Sequence, residues 1–156
     1  MYKTQNVLKY LFTINILIIL TVYYIEYALG VYACNLCKYQ RIPYFLSILI
    51  LAILIINKSK FLKLFYILIL SVVINIFISF YHIGIEQKVF SESKVCITKN
   101  KITKKEDLLK QLTNKNDAGC SKVTFKIFGL SLSTLNFFTN IVFLLVYVHI
   151  LRNEKK

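Results

Sequence analysis

Four long apolar runs limit what this chain can fold into. They cover about 10–29, 42–56, 61–81 and 128–151 of a 156-residue sequence that is 57% hydrophobic. Soluble domains are roughly 45–50% apolar, and one of this size has nowhere to hide four such runs. A membrane-spanning helix needs ~20 apolar residues, with a lower limit of ~17. The first, third and fourth runs meet that length. The second reaches it when Gln40 and Arg41 are counted, which puts the span at about 40–56 and Arg41 at the outer boundary of the hydrocarbon. Lipid offers no partners for backbone polar groups, so such runs become helices. The expected fold is an all-α membrane protein: a four-helix transmembrane bundle forming a single membrane domain over 1–156. The first run exceeds the ~7–15-residue apolar core of a secretory signal, and we read it as a retained span.

The segments between the runs fix the arrangement. Asn57-Lys58-Ser59-Lys60 is a short polar turn, so the second and third spans form an antiparallel hairpin. A long polar segment, about 82–127, holds Cys96, Cys120 and most of the acidic residues. Within it, Lys104 to Leu112 reads as a short amphipathic helix, with Leu108, Leu109 and Leu112 on one face, lying in the interface plane. By parity, the segments about 30–39 and 82–127 face the same side, so all four cysteines share one compartment. Lys3, Lys9, Lys58, Lys60, Lys63, Arg152, Lys155 and Lys156 sit at the other ends of the spans. Charge close to span ends orients a membrane protein, whereas long loops cross largely regardless of charge. The termini and the Lys58/Lys60 turn are therefore expected in the cytoplasm. The net charge of +13 speaks of headgroups and orientation; no nucleic-acid module is recognisable.

Chemistry concentrates in Cys34-Asn35-Leu36-Cys37-Lys38-Tyr39-Gln40-Arg41. Two cysteines three apart form a readily activated redox pair. If the stretch is helical, Arg41 lies one turn beyond Cys37 on the same face. A redox pair and a fixed positive charge at a membrane edge point to electron transfer between thiols and something held in or at the lipid. Arg41 could instead snorkel to headgroups. A structural zinc site prefers two closely spaced pairs; Cys96 and Cys120 are far apart, so no metal is expected. Haem attachment requires His directly after the second Cys, where Lys38 stands. A Cys96–Cys120 bond could also be a plain loop staple, although a Cys-x-x-Cys pair makes a poor one. Pro43 is placed in the first turn of the second helix and Glu26 at the interface. His82 and Glu86, one turn apart, read as a salt-bridged helix end. Asn136, Asn140 and His149 read as helix–helix hydrogen-bonding groups.

Cys34-Asn35-Leu36-Cys37 followed by Gln40-Arg41 resembles the signature of the DsbB family, bacterial membrane enzymes that generate disulfides. The resemblance extends over nearly the whole chain. A Cys pair after the first span and a separated pair after the third match in order. Tyr81-His82-Ile83-Gly84-Ile85-Glu86 resembles the family's segment after the third span. Phe128-Gly129-Leu130-Ser131-Leu132 resembles its entry to the fourth. Ser133 departs from the Pro of many members, and the Trp frequent in that region is absent.

The resemblance implies a bacterial inner-membrane thiol:quinone oxidoreductase that reoxidises a DsbA-like, thioredoxin-fold periplasmic dithiol partner and passes electrons to ubiquinone or menaquinone. The DsbA–DsbB–quinone relay is what keeps a bacterial periplasm oxidising. It implies that Cys34, Cys37, Cys96 and Cys120 are catalytic, and that Arg41 and Cys37 meet the quinone. Cys96–Cys120 would be the disulfide attacked by the partner, at Cys96. Cys34 would exchange with Cys120 and Cys37 would be released beside Arg41. Two alternatives remain: a disulfide-stapled membrane adaptor without catalysis, and an enzyme like vitamin K epoxide reductase. In the latter family the quinone-proximal pair lies late in the chain, whereas here it lies early.

Overall fold

The computed structural model describes residues 2–31, 33–57, 61–91, 96, 120, 125–127 and 129–154. Four helices dominate: α1 (Tyr2–Tyr27), α2 (Asn35–Ile56), α3 (Phe61–Glu86) and α4 (Leu132–Glu154). All four are long and apolar enough to cross a membrane. Two-residue strands β1 (Lys126–Ile127) and β2 (Leu130–Ser131) pair antiparallel just before α4, with Lys126 opposite Ser131 and Ile127 opposite Leu130. Gly129 makes the turn between them at φ +82°, a conformation open to glycine. The amphipathic segment 104–112 lies outside the described residues.

α1 packs on α2, α2 on α3, and α3 on α4. The core contains Leu8, Leu11, Leu51, Leu54, Phe65 and Tyr147. Phe65 and Tyr147 meet edge to face, 5.8 Å between centroids. Large apolar side chains also cover the outside, among them Leu17, Leu49, Leu70, Phe77 and Leu145. A bundle in water would turn that face inward; facing lipid costs nothing.

The helix ends differ from the apolar runs, and side-chain chemistry explains each shift. α2 begins at Asn35, within the stretch expected as loop, because the Cys34 sulfur accepts the Cys37 amide and caps the helix. Pro43 consequently sits in the helix interior and not in the first turn. Its ring removes the donor that the Tyr39 carbonyl would use. α3 continues past Tyr81 to Glu86 because His82 and Ile85 are buried against neighbouring groups and not in solvent. α1 stops at Tyr27: the Leu29 and Val31 amides fold back onto the Tyr24 and Ile25 carbonyls, and Gly30 at φ +65° turns the chain. α4 starts at Leu132 because Ser131 Oγ accepts the Thr134 amide at 3.3 Å.

A polar network crosses the middle of the bundle. Tyr44 donates to Asn136 Oδ1 at 2.6 Å, and Asn140 Nδ2 donates to the Tyr44 hydroxyl at 3.0 Å. Asn75 donates to Asn140 Oδ1 at 3.2 Å, and Asn136 donates to Ser79 Oγ at 2.8 Å. Asn136 and Asn140 thus join α2, α3 and α4, as their position in an apolar run implied. His149 does not: it bonds Asn153 one turn along its own helix. Interhelical hydrogen bonds in lipid contribute about 0.6 kcal/mol each, with a maximum near 1.7. Asn140→Leu removes the Tyr44 and Asn75 contacts together. It should lower unfolding free energy by about 1–2 kcal/mol, measured by denaturation in detergent micelles, while Asn153→Leu should leave it unchanged within error.

Candidate functional site

The four cysteines gather at one end of the bundle. Cys34 caps α2, and its sulfur lies 2.9 Å from that of Cys37 in the first turn. Cys96 and Cys120 form a buried disulfide, Cα to Cα 5.4 Å. Cys34, Leu36, Ile85, Cys96 and Cys120 make a second apolar cluster, distinct from the main core. The sulfurs of Cys34 and Cys120 and a ring nitrogen of His82 lie within 4.8 Å of one another. With the Cys120 sulfur committed to Cys96, this triad has the geometry for thiol exchange.

His82, on α3, is 2% exposed. Its Nε2 is 3.5 Å from Cys34 Sγ and 3.6 Å from Glu86 Oε1. The Gln40 amide nitrogen lies 3.4 Å from Nδ1. A Gln40 N–H donated to Nδ1 leaves the ring proton on Nε2, facing the sulfur. The Cys34 thiol is held below its usual range. The Cys37 thiol hydrogen bond is the largest cause, and burial opposes it. The hydrogen bond and charge of His82 and the Cys37 amide add to the lowering. The α2 N-terminus favours an anion in the same place.

Gly84 explains part of the Tyr81–Glu86 segment. After Glu86 the chain turns through Lys88, at φ 61°, and the Val89 and Phe90 amides bond the Gly84 carbonyl. The Phe90 ring fills the place of a Gly84 Cβ and stacks on Tyr81 at 5.7 Å. That fold-back lies one turn from His82.

The other face of Cys37 opens into a cavity of about 350 Å³ between α1, α2 and α4. This volume is within the range of small-molecule sites. Apolar side chains such as Leu17, Ile18 and Leu135 make most of its wall, and Cys37, Gln40, Arg41, Tyr44, Glu26 and Asn136 are among the polar groups. Arg41 is where the sequence put it, one turn from Cys37, but its Nη1 pairs with Glu26 on α1. Its guanidinium carbon lies 5.0 Å from the Tyr23 ring centroid. Arg41 Nε is buried without a hydrogen-bond partner among the described residues. Glu26 therefore lines the cavity. The sequence signal for it was an isolated acid inside an apolar run. Gln40 and Tyr44 were equally unmarked, being visible only as neighbours of the cysteine motif. His82 and Glu86 do form the expected pair, and the Cys34 contact adds a role that spacing does not reveal.

The sequence matches the family described as "Disulfide bond formation protein DsbB" over residues 4–150. An uncharacterized protein of Rickettsia prowazekii (strain Madrid E), RP370, is 32% identical over 148 residues, covering 92% of this chain and 84% of the relative. No solved structure matches the chain.

The electrostatics of Cys34 can be tested directly. In reduced Cys96→Ser/Cys120→Ser protein, which keeps Cys37, Cys34 should be alkylated by iodoacetamide well below pH ~8.5, the ordinary thiol value, with the label assigned to Cys34 by peptide mapping. A depressed folded-state value means the thiolate persists as pH falls, until protonation at the lowered value ends the reaction. His82→Ala should move this profile up by roughly one pH unit, read by mass spectrometry of the labelled chain.

Proposed function

The chain belongs to the DsbB family of disulfide bond formation proteins, and from that premise we propose that it is a thiol:quinone oxidoreductase of a bacterial inner membrane. It reoxidises a DsbA-like, thioredoxin-fold dithiol protein and delivers the electrons to a membrane quinone, ubiquinone or menaquinone. The observation that carries this reading is the position of the Cys34/Cys37 pair. Cys34 faces the Cys120 sulfur within 4.8 Å, and Cys37 lines the cavity with Arg41.

The cavity fits a quinone head group. It is largely apolar, it lies between membrane-spanning helices, and it carries a buried Arg41 N–H with no acceptor among the described residues. Arg41 and Cys37 would hold the ring, with Tyr44 and Asn136 at the polar part of the wall. A bound quinone supplies a two-electron, two-proton oxidant.

The protein's own steps are thiol exchanges, and they balance. A partner thiolate attacks Cys96 Sγ. The Cys96–Cys120 bond breaks and its electron pair leaves on Cys120. The Cys120 thiolate attacks Cys34 Sγ of an oxidised Cys34–Cys37 pair, and Cys37 leaves as a thiolate at the cavity. The second partner thiol then resolves the mixed disulfide and frees Cys96. Cys96 recloses its bond with Cys120, and Cys34 leaves with the electron pair. The partner has become a disulfide, and the Cys34/Cys37 pair holds two electrons. As a leaving group the Cys34 thiolate is stabilised by the helix N-terminus and His82 Nε2–H, while Cys37 leaves at the wall of the cavity that Arg41 shares.

Two measurements test this. Cys96→Ser should abolish turnover with the dithiol protein, while dithiothreitol should still drive decylubiquinone reduction through Cys34 and Cys37 at a rate within a few fold of the parent. Equal loss of both reactions would favour a stapled adaptor. In intact reduced cells, a membrane-impermeant maleimide should label Cys96, with introduced cysteines at Lys58 and Lys156 labelled only after lysis. The reverse pattern would invert the orientation.

A further inference from the structure

We infer that Glu26 is the positioning residue of Arg41: its carboxylate holds the guanidinium in the cavity wall beside Cys37, leaving the Nε–H free for a carbonyl oxygen of the ligand. The part concerning the ligand rests on the quinone reading above. The part concerning Arg41 stands without it.

Left alone, an arginine at the edge of the hydrocarbon extends its stem and takes its charge to the headgroups. Arg41 does not. Its side chain is 11% exposed, and that of Glu26 is 18% exposed. Tyr23 and Glu26 lie three residues apart on one face of α1. Glu26 takes Nη1 while the Tyr23 ring lies under the guanidinium carbon. Together they form a cradle on α1 for a side chain rooted on α2. The two sides of the fork are thereby separated: Nη1 is ion-paired with the carboxylate, and Nε is buried without a hydrogen-bond partner among the described residues.

A buried donor with no partner is costly in a membrane protein, where water cannot replace the missing acceptor. A ligand that brings an acceptor removes that cost. The pair's charges also sum to zero, so an uncharged ring can enter without meeting a bare ion. Lysine at position 41 would reproduce the charge but not this division, because an ammonium has no second fixed donor. Glu26 acts through Arg41 and need not touch the ligand.

The chain has two arginines, Arg41 and Arg152, and Arg152 is exposed near the C-terminus. Protein labelled with [15N]arginine in detergent micelles therefore has two Nε–H signals in a heteronuclear NMR spectrum. The Arg41 signal should exchange slowly with water and that of Arg152 fast. Decylubiquinone affinity is measured in parallel on oxidised protein with no dithiol present, so no turnover occurs. Glu26→Gln should speed Arg41 Nε–H exchange and weaken decylubiquinone binding, each by about tenfold. Glu26→Asp, with the charge on a shorter arm, should fall between Gln and the parent in both. Should Glu26→Gln fail to fold, Glu26→Asp decides: parent-like exchange in it overturns the proposal. Parent-like exchange in Glu26→Gln overturns it too, as does faster exchange with unchanged affinity. If the parent binds no decylubiquinone but exchange still responds to Glu26, the positioning of Arg41 is upheld and the quinone reading fails.

Discussion

A permanent positive charge at the rim of an apolar bundle cannot be left unpaired. Arginine does not lose its proton, and moving an ion into a low-dielectric interior costs several kcal/mol even after relaxation. Arg41 meets that constraint with an acid from another helix and an aromatic ring beneath it. Because the acid is on α1 and the arginine on α2, the pairing also fixes how the two helices face each other near the cysteine end. The cavity is bounded by the same two helices and α4. Its position beside Cys37 thus follows from where the charge is neutralised.

Deeper in the bundle, a different chemistry holds the helices together. Apolar contact between helices gains little in lipid, whose tails are as apolar as leucine. Tyr44, Asn75, Asn136, Asn140 and Ser79 supply directional bonds there, joining α2, α3 and α4. α1 has no share in those bonds and is tied in by Arg41–Glu26 and by its packing on α2. Along the rest of its length α1 is held by apolar packing, with Leu8, Leu11 and Ile19 buried in the main core.

Run lengths were enough to read four spans, because a bilayer demands a fixed number of apolar residues and little else produces such runs. Helix ends were less legible. Cys34 is not among the residues usually preferred as N-caps, so its capping sulfur, and with it the helical first turn at Cys37, could not be foreseen from propensity. Pro43 was misplaced for the same reason. The place of Arg41, one turn from Cys37, was legible because both lie on one helix. Its pairing with Glu26 was not, because that acid lies on another helix and only packing brings them together. Between these extremes stand His82 and Glu86: their mutual spacing is local and visible, whereas the approach of His82 to Cys34 joins residues 48 positions apart.

The capping role of Cys34 has a consequence for how oxidation state is felt by the backbone. A thiolate at a helix N-terminus accepts an amide hydrogen bond and meets the positive end of the helix dipole; a disulfide sulfur is uncharged and accepts weakly. The atom that caps α2 is thus also an atom whose charge is erased by oxidation. The hydrogen bond from the Cys37 amide to that sulfur is strongest when the pair is reduced and weakest when it is oxidised. Secondary structure and electron count are coupled there through a single atom, so amide protection at Cys37 becomes a readout of redox state.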